Sequence, residues 1–258
     1  MLSLFTDILI ILLGFACGVL VNYLSDVLPV RRKLVHPFCQ HCGQELSWVN
    51  YLVWPRRCGS CAHRRAWRVW AVEIAAMIIT LCLWLWPPSR LGFIFGLVLL
   101  IYFGVVVIVD IEHRLILHSV SIAGAVLGLV IGIRLHGAIE TLLGGILGFA
   151  LMWLFYFLGL QFTNLIFRLQ GKPLEEGLGF GDVNLSGVLG LLFGRNLIGF
   201  ALFLGVLIGA IVGLIFMALM AATRRYKAFA TMPYGPFLVA SAVILLYFRD
   251  YVVRFLNR

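Results

Sequence analysis

The sequence predicts an all-α integral membrane protein with about eight transmembrane helices and a small zinc-binding loop domain on the cytoplasmic side. The first observation is composition: 62% of the 258 residues are apolar and 12% are charged, against about 45–50% and about 25% in soluble domains. The second is that the apolar residues gather into long runs, and the third is a cysteine-rich polar loop after the first run. Soluble and disordered classes are excluded.

Apolar runs of about 20 residues, the length that a helix needs to cross a bilayer, recur along the chain. They lie at 3–24, 67–87, 91–109, 117–134, 139–168, 182–194, 196–222 and 233–248. The sixth run is short and rich in glycine, so it is either a full span or a half-helix inside the bundle. The predicted domains are a first transmembrane helix at 1–24, the loop domain at 25–66 and a membrane-embedded domain at 67–258.

Lysine and arginine set the predicted orientation. Loops on the side of the first loop carry 14 of them, and the opposite side with the tail carries six. Because basic residues collect in cytoplasmic loops, the first loop is predicted to be cytoplasmic and both termini external. If the sixth run is not a span, the bias falls to 11 against nine, so the count favours eight spans. The net charge of +9 is then a signal of topology, and no nucleic-acid partner is predicted.

The loop at 25–66 carries two Cys-x-x-Cys pairs, formed by Cys39, Cys42, Cys58 and Cys61. Four thiolates at this spacing are typical of a structural zinc site, and they leave no open coordination position for catalysis. A loop of about 40 residues needs such a link to fold. In a reducing cytoplasm disulfides are disfavoured. Four incidental cysteines, or a redox role, are the alternatives.

Two aspartates at the ends of apolar runs are the candidate catalytic residues. Asp110 ends the third run, and Asp182 follows Gly179-Phe180-Gly181 at the start of the sixth. A carboxylate in a membrane is costly and marks a functional site by default. By the predicted topology both lie at the cytoplasmic edge, where the pair can share a proton, one acting as base and the other as acid. Gly179 and Gly181 allow a helix or an extended peptide to approach closely.

Other acids have simpler interpretations. Either aspartate taken alone is also explained as an interfacial residue. Glu73, one to two turns into the second run, is predicted to pair with an arginine of the basic loop. Glu175 and Glu176 precede the Gly-x-Gly-Asp motif and are either solvated or support the site by attracting a basic peptide, which is worth about 1 kcal/mol at an exposed position.

The order of these motifs resembles that of the type IV prepilin peptidases, the leader peptidases of bacterial pilin and type II secretion systems. They are aspartic intramembrane proteases of the GxGD kind. The similarity covers nearly the whole chain. Besides the cysteine pairs and the two aspartates, it rests on matches at Gly18, Asn22, Ser47-Trp48, Arg68 through Glu73, and Pro233-Tyr234-Gly235-Pro236-Phe237.

The resemblance implies that Asp110 and Asp182 are the catalytic pair and that the four cysteines hold zinc. It also implies prepilins or pseudopilins as substrates, cleaved after a short basic leader at the cytoplasmic face of the bacterial inner membrane. Many members then methylate the new N-terminus, so S-adenosylmethionine is implied as a methyl donor. The chain departs from the family pattern at Leu117-His118, where the family has Pro-Asp, and at Asn184, where it has lysine.

Three other functions compete with this one. A proton- or cation-coupled transporter predicts charged residues at the membrane midplane, whereas the centres of these runs are almost bare. A catalytically silent assembly factor of a pilus or secretion apparatus would keep the same motifs. A methyltransferase without protease activity is less favoured, because both aspartates are present.

Overall fold

The computed structural model describes residues 2–52, 56–170, 179–222 and 233–248. This part of the chain is helical, with two isolated β-bridges and no strand. The helices are α1 (Leu2–Arg31), α2 (Trp48–Leu52), α3 (Arg68–Leu85), α4 (Gly92–His113), α5 (His118–His136), α6 (Ala138–Gln170), α7 (Phe180–Ala222) and α8 (Gly235–Tyr247).

Six of the described helices, α1 and α3 to α7, are long and apolar enough to cross a membrane, and α8 is a shorter apolar helix. The prediction of an all-α, multi-pass membrane protein is therefore confirmed. The bounds differ most at α1, which continues to Arg31 rather than ending at Leu24. The polar Ser25-Asp26 step does not end the helix, because the Asp26 carboxylate is paired with arginines of the following loop.

The chain divides into two compact units, residues 1–109 and 110–258, and the division falls within α4. In the first unit, α1 and α3 pack antiparallel at very short distance. A methyl group on Gly14 would lie 2.7 Å from the Cα atom of Met77, and one on Gly18 would lie 2.7 Å from that of Glu73. Small residues permit this approach between membrane helices.

The loop between α1 and α3 folds as two similar turns, one around each cysteine pair. The Gly43 N–H donates to the Cys39 carbonyl over 2.8 Å, and the Ala62 N–H donates to the Cys58 carbonyl over 3.0 Å. Gly43 and Ala62 both have positive φ, 74° and 53°. The repeated hydrogen bonds give the two Cys-x-x-Cys segments the same local conformation.

In the second unit, glycines bring α6 and the first part of α7 into backbone contact. A methyl group on Gly190 would lie 2.1 Å from the Gly144 carbonyl oxygen, and one on Gly148 would lie 2.4 Å from the Ser186 carbonyl oxygen. The pairing of 144 with 190 and of 148 with 186 makes the two helices antiparallel.

The long helix α7 reverses direction at Gly194, whose backbone is not helical (φ 68°, ψ 175°). Gly148 is close to Ser186 and also to Ile198, at 3.0 Å from its Cγ1 atom. In a straight helix those two residues would be about 18 Å apart. The helix therefore has two arms, residues 180–193 and 195–222, which correspond to the sixth and seventh predicted runs.

Chain connections in the second unit gather at two opposite ends of the helices. At one end, the His136 ring lies 3.2 Å from the Leu192 carbonyl oxygen and Arg195 pairs with Glu140 over 3.2 Å. At the other end, Gly235 contacts Asp110, and a methyl group on Gly181 would lie 2.8 Å from Ile116.

Candidate functional site

Asp110 and Asp182 come together in the second unit. Asp110 lies in the last turns of α4 and Asp182 in the first turn of α7, 72 positions later in the sequence. Their side chains are 5% and 7% exposed, and the two carboxyl groups interact electrostatically. The structure thus joins the two residues that the sequence predicts to be catalytic.

Asp182 is oriented by the start of its own helix. Gly179 precedes the first helical residue, and its N–H donates to the Asp182 Oδ2 atom over 3.1 Å, while the Asp182 N–H donates to the Gly179 carbonyl over 3.0 Å. The bond from the Gly179 N–H to the acid three positions later is one half of a capping box, and a backbone carbonyl takes the place of the side-chain acceptor in the other half. The Gly-x-Gly-Asp sequence therefore fixes the carboxyl group locally.

Asp110 is oriented by a residue that is remote in the sequence. The N–H of Gly235, the first residue of α8, donates to the Asp110 Oδ2 atom over 2.9 Å in a buried position. Each carboxyl group therefore receives a backbone N–H from a helix N-terminus, where the exposed amide dipoles favour negative charge.

The second carboxyl oxygen of Asp182 has no hydrogen-bond partner within the described part of the chain. Among the described residues, Oδ1 of Asp182 is one of the buried side-chain atoms without a hydrogen bond. A buried carboxyl oxygen of this kind costs free energy unless it carries a proton or meets a water or substrate group. Two buried acids, one of them with a free oxygen, can accept and donate protons at a bound amide.

The glycines of the motif make different contacts. Gly181 packs against Ile116, whereas Gly179 is exposed next to the Asp182 carboxyl group. Of the two motif glycines, Gly179 is therefore the one that a peptide can reach. Glu175 and Glu176, predicted to support the site, lie outside the described residues.

The four cysteines of the loop form a cluster in the first unit that could hold a metal ion. Their sulfur atoms lie within 4.8 Å of one another, with 3.6 Å between Cys39 and Cys61 and between Cys42 and Cys58. Tetrahedral zinc with bonds of about 2.3 Å places its sulfur ligands about 3.8 Å apart. The cluster fits this geometry.

Backbone donors prepare one of these sulfurs for a metal. The backbone N–H groups of Cys61 and Ser60 are the largest of several hydrogen-bonding contributions that lower the pKa of the Cys58 thiol. The thiolate is the form that binds metals. The turn formed by the Cys-x-x-Cys segment thus directs backbone N–H groups toward a cysteine sulfur.

Two ion clusters attach the cysteine loop to α1 and α3. Asp26 of α1 accepts hydrogen bonds from the guanidinium groups of Arg65 and Arg68, from the Tyr51 hydroxyl over 2.9 Å, and from Gln40 over 3.1 Å. The pairing predicted for Glu73 is confirmed, because Arg56 contacts it over 3.0 Å with both side chains almost fully buried.

Two important residues are absent from the sequence-based predictions. Asp26 has a detectable signal, since an acid just beyond the first apolar run precedes eight lysine and arginine residues between positions 31 and 68. Gly235 has a weaker one. The motif around Gly235 can be recognised in the sequence. Its contact with Asp110 uses a backbone N–H, however, and the type of side chain does not predict such a contact.

Comparisons with known proteins match most of the chain. The model of the type IV leader peptidase family matches residues 94–214, and that of the bacterial peptidase A24 N-terminal domain matches residues 12–86. The first range contains both aspartates and the second contains all four cysteines.

Curated relatives carry the name prepilin leader peptidase/N-methyltransferase. The relative from Pseudomonas aeruginosa is 28% identical over 84% of this chain and 72% of its own length. Those from Bacillus subtilis and Legionella pneumophila are each 26% identical over 85% of this chain, and over 83% and 75% of their own lengths. No solved structure matches the chain significantly.

Proposed function

We propose that the chain is a member of the type IV leader peptidase family, whose model matches residues 94–214, and that Asp110 and Asp182 are the catalytic pair of a membrane-embedded aspartic endopeptidase. The enzyme removes the leader of prepilins or of the pseudopilins of type II secretion. The observation that carries the assignment of the pair is the meeting of two buried carboxyl groups, each held by a backbone N–H at a helix N-terminus.

The pair hydrolyses the peptide bond by activating water. One carboxylate accepts a proton from water while the water oxygen attacks the scissile carbonyl carbon, and the protonated partner donates to the carbonyl oxygen. Collapse of the tetrahedral diol breaks the C–N bond as the leaving amine takes up a proton. Because the acids act on water, no covalent intermediate with the enzyme forms.

The substrate reaches this site with its apolar helix among the spans and its basic leader outside the membrane. The scissile segment is extended, since the carbonyls of a helix are already hydrogen-bonded. Exposed Gly179 gives this segment access to Asp182. Glu175 and Glu176 attract the lysine or arginine residues of the leader. The cleavage takes place at the cytoplasmic face of the bacterial inner membrane.

Eight transmembrane spans would put the site at the cytoplasmic face. They are α1, α3, α4, α5, α6, the two arms of α7, and α8. The reversal at Gly194 supports counting α7 twice, and the gathering of 110–117, 179–182 and 234–235 at one end supports a single cytoplasmic edge for the acids.

The cysteine loop is proposed to hold one structural zinc ion through Cys39, Cys42, Cys58 and Cys61. Purified protein is expected to contain about one zinc, and Cys39→Ser to lose it, because three thiolates leave the site open. Metal analysis of both proteins measures this. A folded wild-type loop without metal would contradict the proposal.

A second activity is N-methylation of the new N-terminus with S-adenosylmethionine. The support is the shared name of the relatives, which joins leader peptidase to N-methyltransferase. Methyl transfer from labelled donor to cleaved substrate, followed by mass spectrometry, tests it.

The location of charge argues against a transporter. Among the described residues, the buried charged side chains are Asp26, Arg56, Glu73, Asp110 and Asp182, and each lies within about two turns of a helix end or in the loop. A proton or cation path needs such groups near the midplane. A silent assembly factor differs from the proposed enzyme only in activity.

Leader removal by the purified protein in liposomes decides between these functions. Asp110→Asn and Asp182→Asn are each expected to lower the cleavage rate by about 1,000-fold or more, because each removes a proton-transfer group. Asp7→Asn, which changes an acid of α1, is the matched control and keeps normal cleavage. Normal processing by either of the first two variants would overturn the assignment of the pair.

A further inference from the structure

The segment Pro233–Pro236 leads into α8 and contacts Asp110 from outside α4 and α7. Gly235 donates its N–H to the Asp110 Oδ2 atom. The segment thus reaches one of the two proposed catalytic acids.

The first turn of α8 leaves one donor for this purpose. A helix start has N–H groups without partners in the helix. Pro236 has no N–H, and the N–H groups of Phe237 and Leu238 donate to the Tyr234 carbonyl over 3.1 and 3.4 Å. The Gly235 N–H is the remaining one, and it points at Asp110.

The contact is also too close for any side chain. A methyl group at position 235 would lie 2.6 Å from the Asp110 Oδ2 atom and 3.2 Å from its Cγ atom. Packing holds the segment in place from the other side, because Tyr234 and Phe237 lie against Gly209 of α7. The position of the N–H is therefore fixed by α7 as well as by α8.

We infer that Gly235 is a positioning residue for the hydrolysis: its backbone N–H fixes the Asp110 carboxyl group in the orientation that the reaction needs. The inference rests on the proposed function. In the reaction Asp110 exchanges protons through its oxygens, and a carboxyl group free to rotate would spend little time aimed at the water and the scissile carbonyl. Misplacement of a reacting group by about 1 Å costs about 100-fold in rate.

The test replaces the amide at position 235 without adding bulk. Glycolic acid, introduced at this position by nonsense suppression during cell-free synthesis into liposomes, exchanges the N–H for an ester oxygen. We expect kcat for leader removal to fall about 100-fold with KM changed by less than about threefold, since the substrate's apolar helix still binds. Gly235→Ala, which pushes the carboxyl group aside, is expected to have the same effect.

Matched controls separate positioning from a general loss of structure. Glycolic acid at Gly213, and Gly213→Ala, alter a glycine of α7 that has no neighbouring atom within 4 Å, and both should keep kcat within about twofold. A wild-type rate in the glycolic acid variant at 235, or a loss of rate that appears wholly in KM, would overturn the inference while leaving the peptidase intact.

The same assay distinguishes failure of the proposed function. If the wild-type protein removes no leader, the peptidase proposal fails and the positioning role fails with it. If wild-type protein cleaves and Asp110→Asn does not, the peptidase stands, and the variants at 235 alone decide on Gly235.

Discussion

The ion pair between Arg56 and Glu73 is unusual in its burial, with side chains 4% and 2% exposed. Arg56 also stacks on the Trp70 ring, 4.3 Å from its centroid. Burying two charges is tolerated only while each charge has its partner. Changing one member of the pair is therefore expected to lower the free energy of unfolding.

Glu73→Gln is expected to destabilise the cysteine loop by about 3 kcal/mol, because it leaves a buried arginine without a counter-charge. The loss would be measured as faster zinc transfer to a colorimetric chelator and as a lower melting temperature. The comparison variant is Glu140→Gln, which breaks the half-exposed pair with Arg195 and should cost less than about 1 kcal/mol. Equal effects of the two substitutions would contradict the role given to burial.

Asp26 shows why this part of the structure was only partly predictable. Charge alone predicted that Glu73 pairs with a loop arginine, and the pair forms. The continuation of α1 through Asp26 depends on Arg65, Arg68 and Tyr51 converging on one carboxylate. Local sequence contains no information about that convergence, so the first helix was predicted seven residues too short.

The pairing of α6 with α7 depends on glycine at each crossing. The two backbones are so close that the Gly144 carbonyl occupies the place that a side chain at 190 would need. Contacts of this kind replace the hydrophobic driving force, which is weak between helices already surrounded by lipid.

Gly190→Ala is expected to destabilise the second unit by about 3 kcal/mol, because the new methyl group would meet backbone atoms that cannot move independently of their helices. Thermal unfolding in detergent, followed by circular dichroism, measures the change. Gly199→Ala adds the same group in the second arm of α7 with no atom within 4 Å, and a small stabilisation follows from the higher helix propensity of alanine. Equal melting temperatures of the two variants would show that the close approach of α6 and α7 does not contribute to stability.

Helix breaks were easier to predict than helix contacts. The predicted runs 182–194 and 196–222 are separated at Arg195, and the structure reverses direction at the adjacent Gly194. The meeting of Asp110 with Gly235 spans 125 positions and uses a main-chain donor. Sequence spacing reveals the helix break because it is local. It does not reveal the contact between Asp110 and Gly235, because the two residues are far apart in the sequence.

The first arm of α7 is shorter than a bilayer is thick. Its 14 residues, 180–193, measure about 21 Å, against a hydrocarbon layer of about 30 Å. α8, with 13 residues, is about as short. In the proposed topology, with the Gly194 end at one interface, Asp182 lies about 18 Å along the helix and stops about 12 Å short of the other interface.

Bilayer thickness is therefore expected to control the rate. Leader removal in liposomes of short-chain phosphatidylcholine should be several-fold faster than in long-chain liposomes, since a thicker layer either buries the site deeper or strains the short helices. Cleavage of the same precursor across a series of acyl chain lengths measures this. Zinc content, assayed in parallel, controls for unfolding. A cleavage rate that does not depend on acyl chain length would contradict the mismatch between the short helices and the bilayer.

The turn at Gly194 also bears on how the protein is made. In the proposed eight-span topology, the two arms of α7 leave the ribosome as one nearly continuous apolar segment. Arg195 is its sole charged residue after Asp182. We expect the two arms to insert into the membrane together as a hairpin, because the second arm is longer than the first and lacks the acid, Asp182, that the first arm carries. Correct insertion of the arm that carries Asp182 would then depend on the turn at Gly194, which is 12 positions away from that acid.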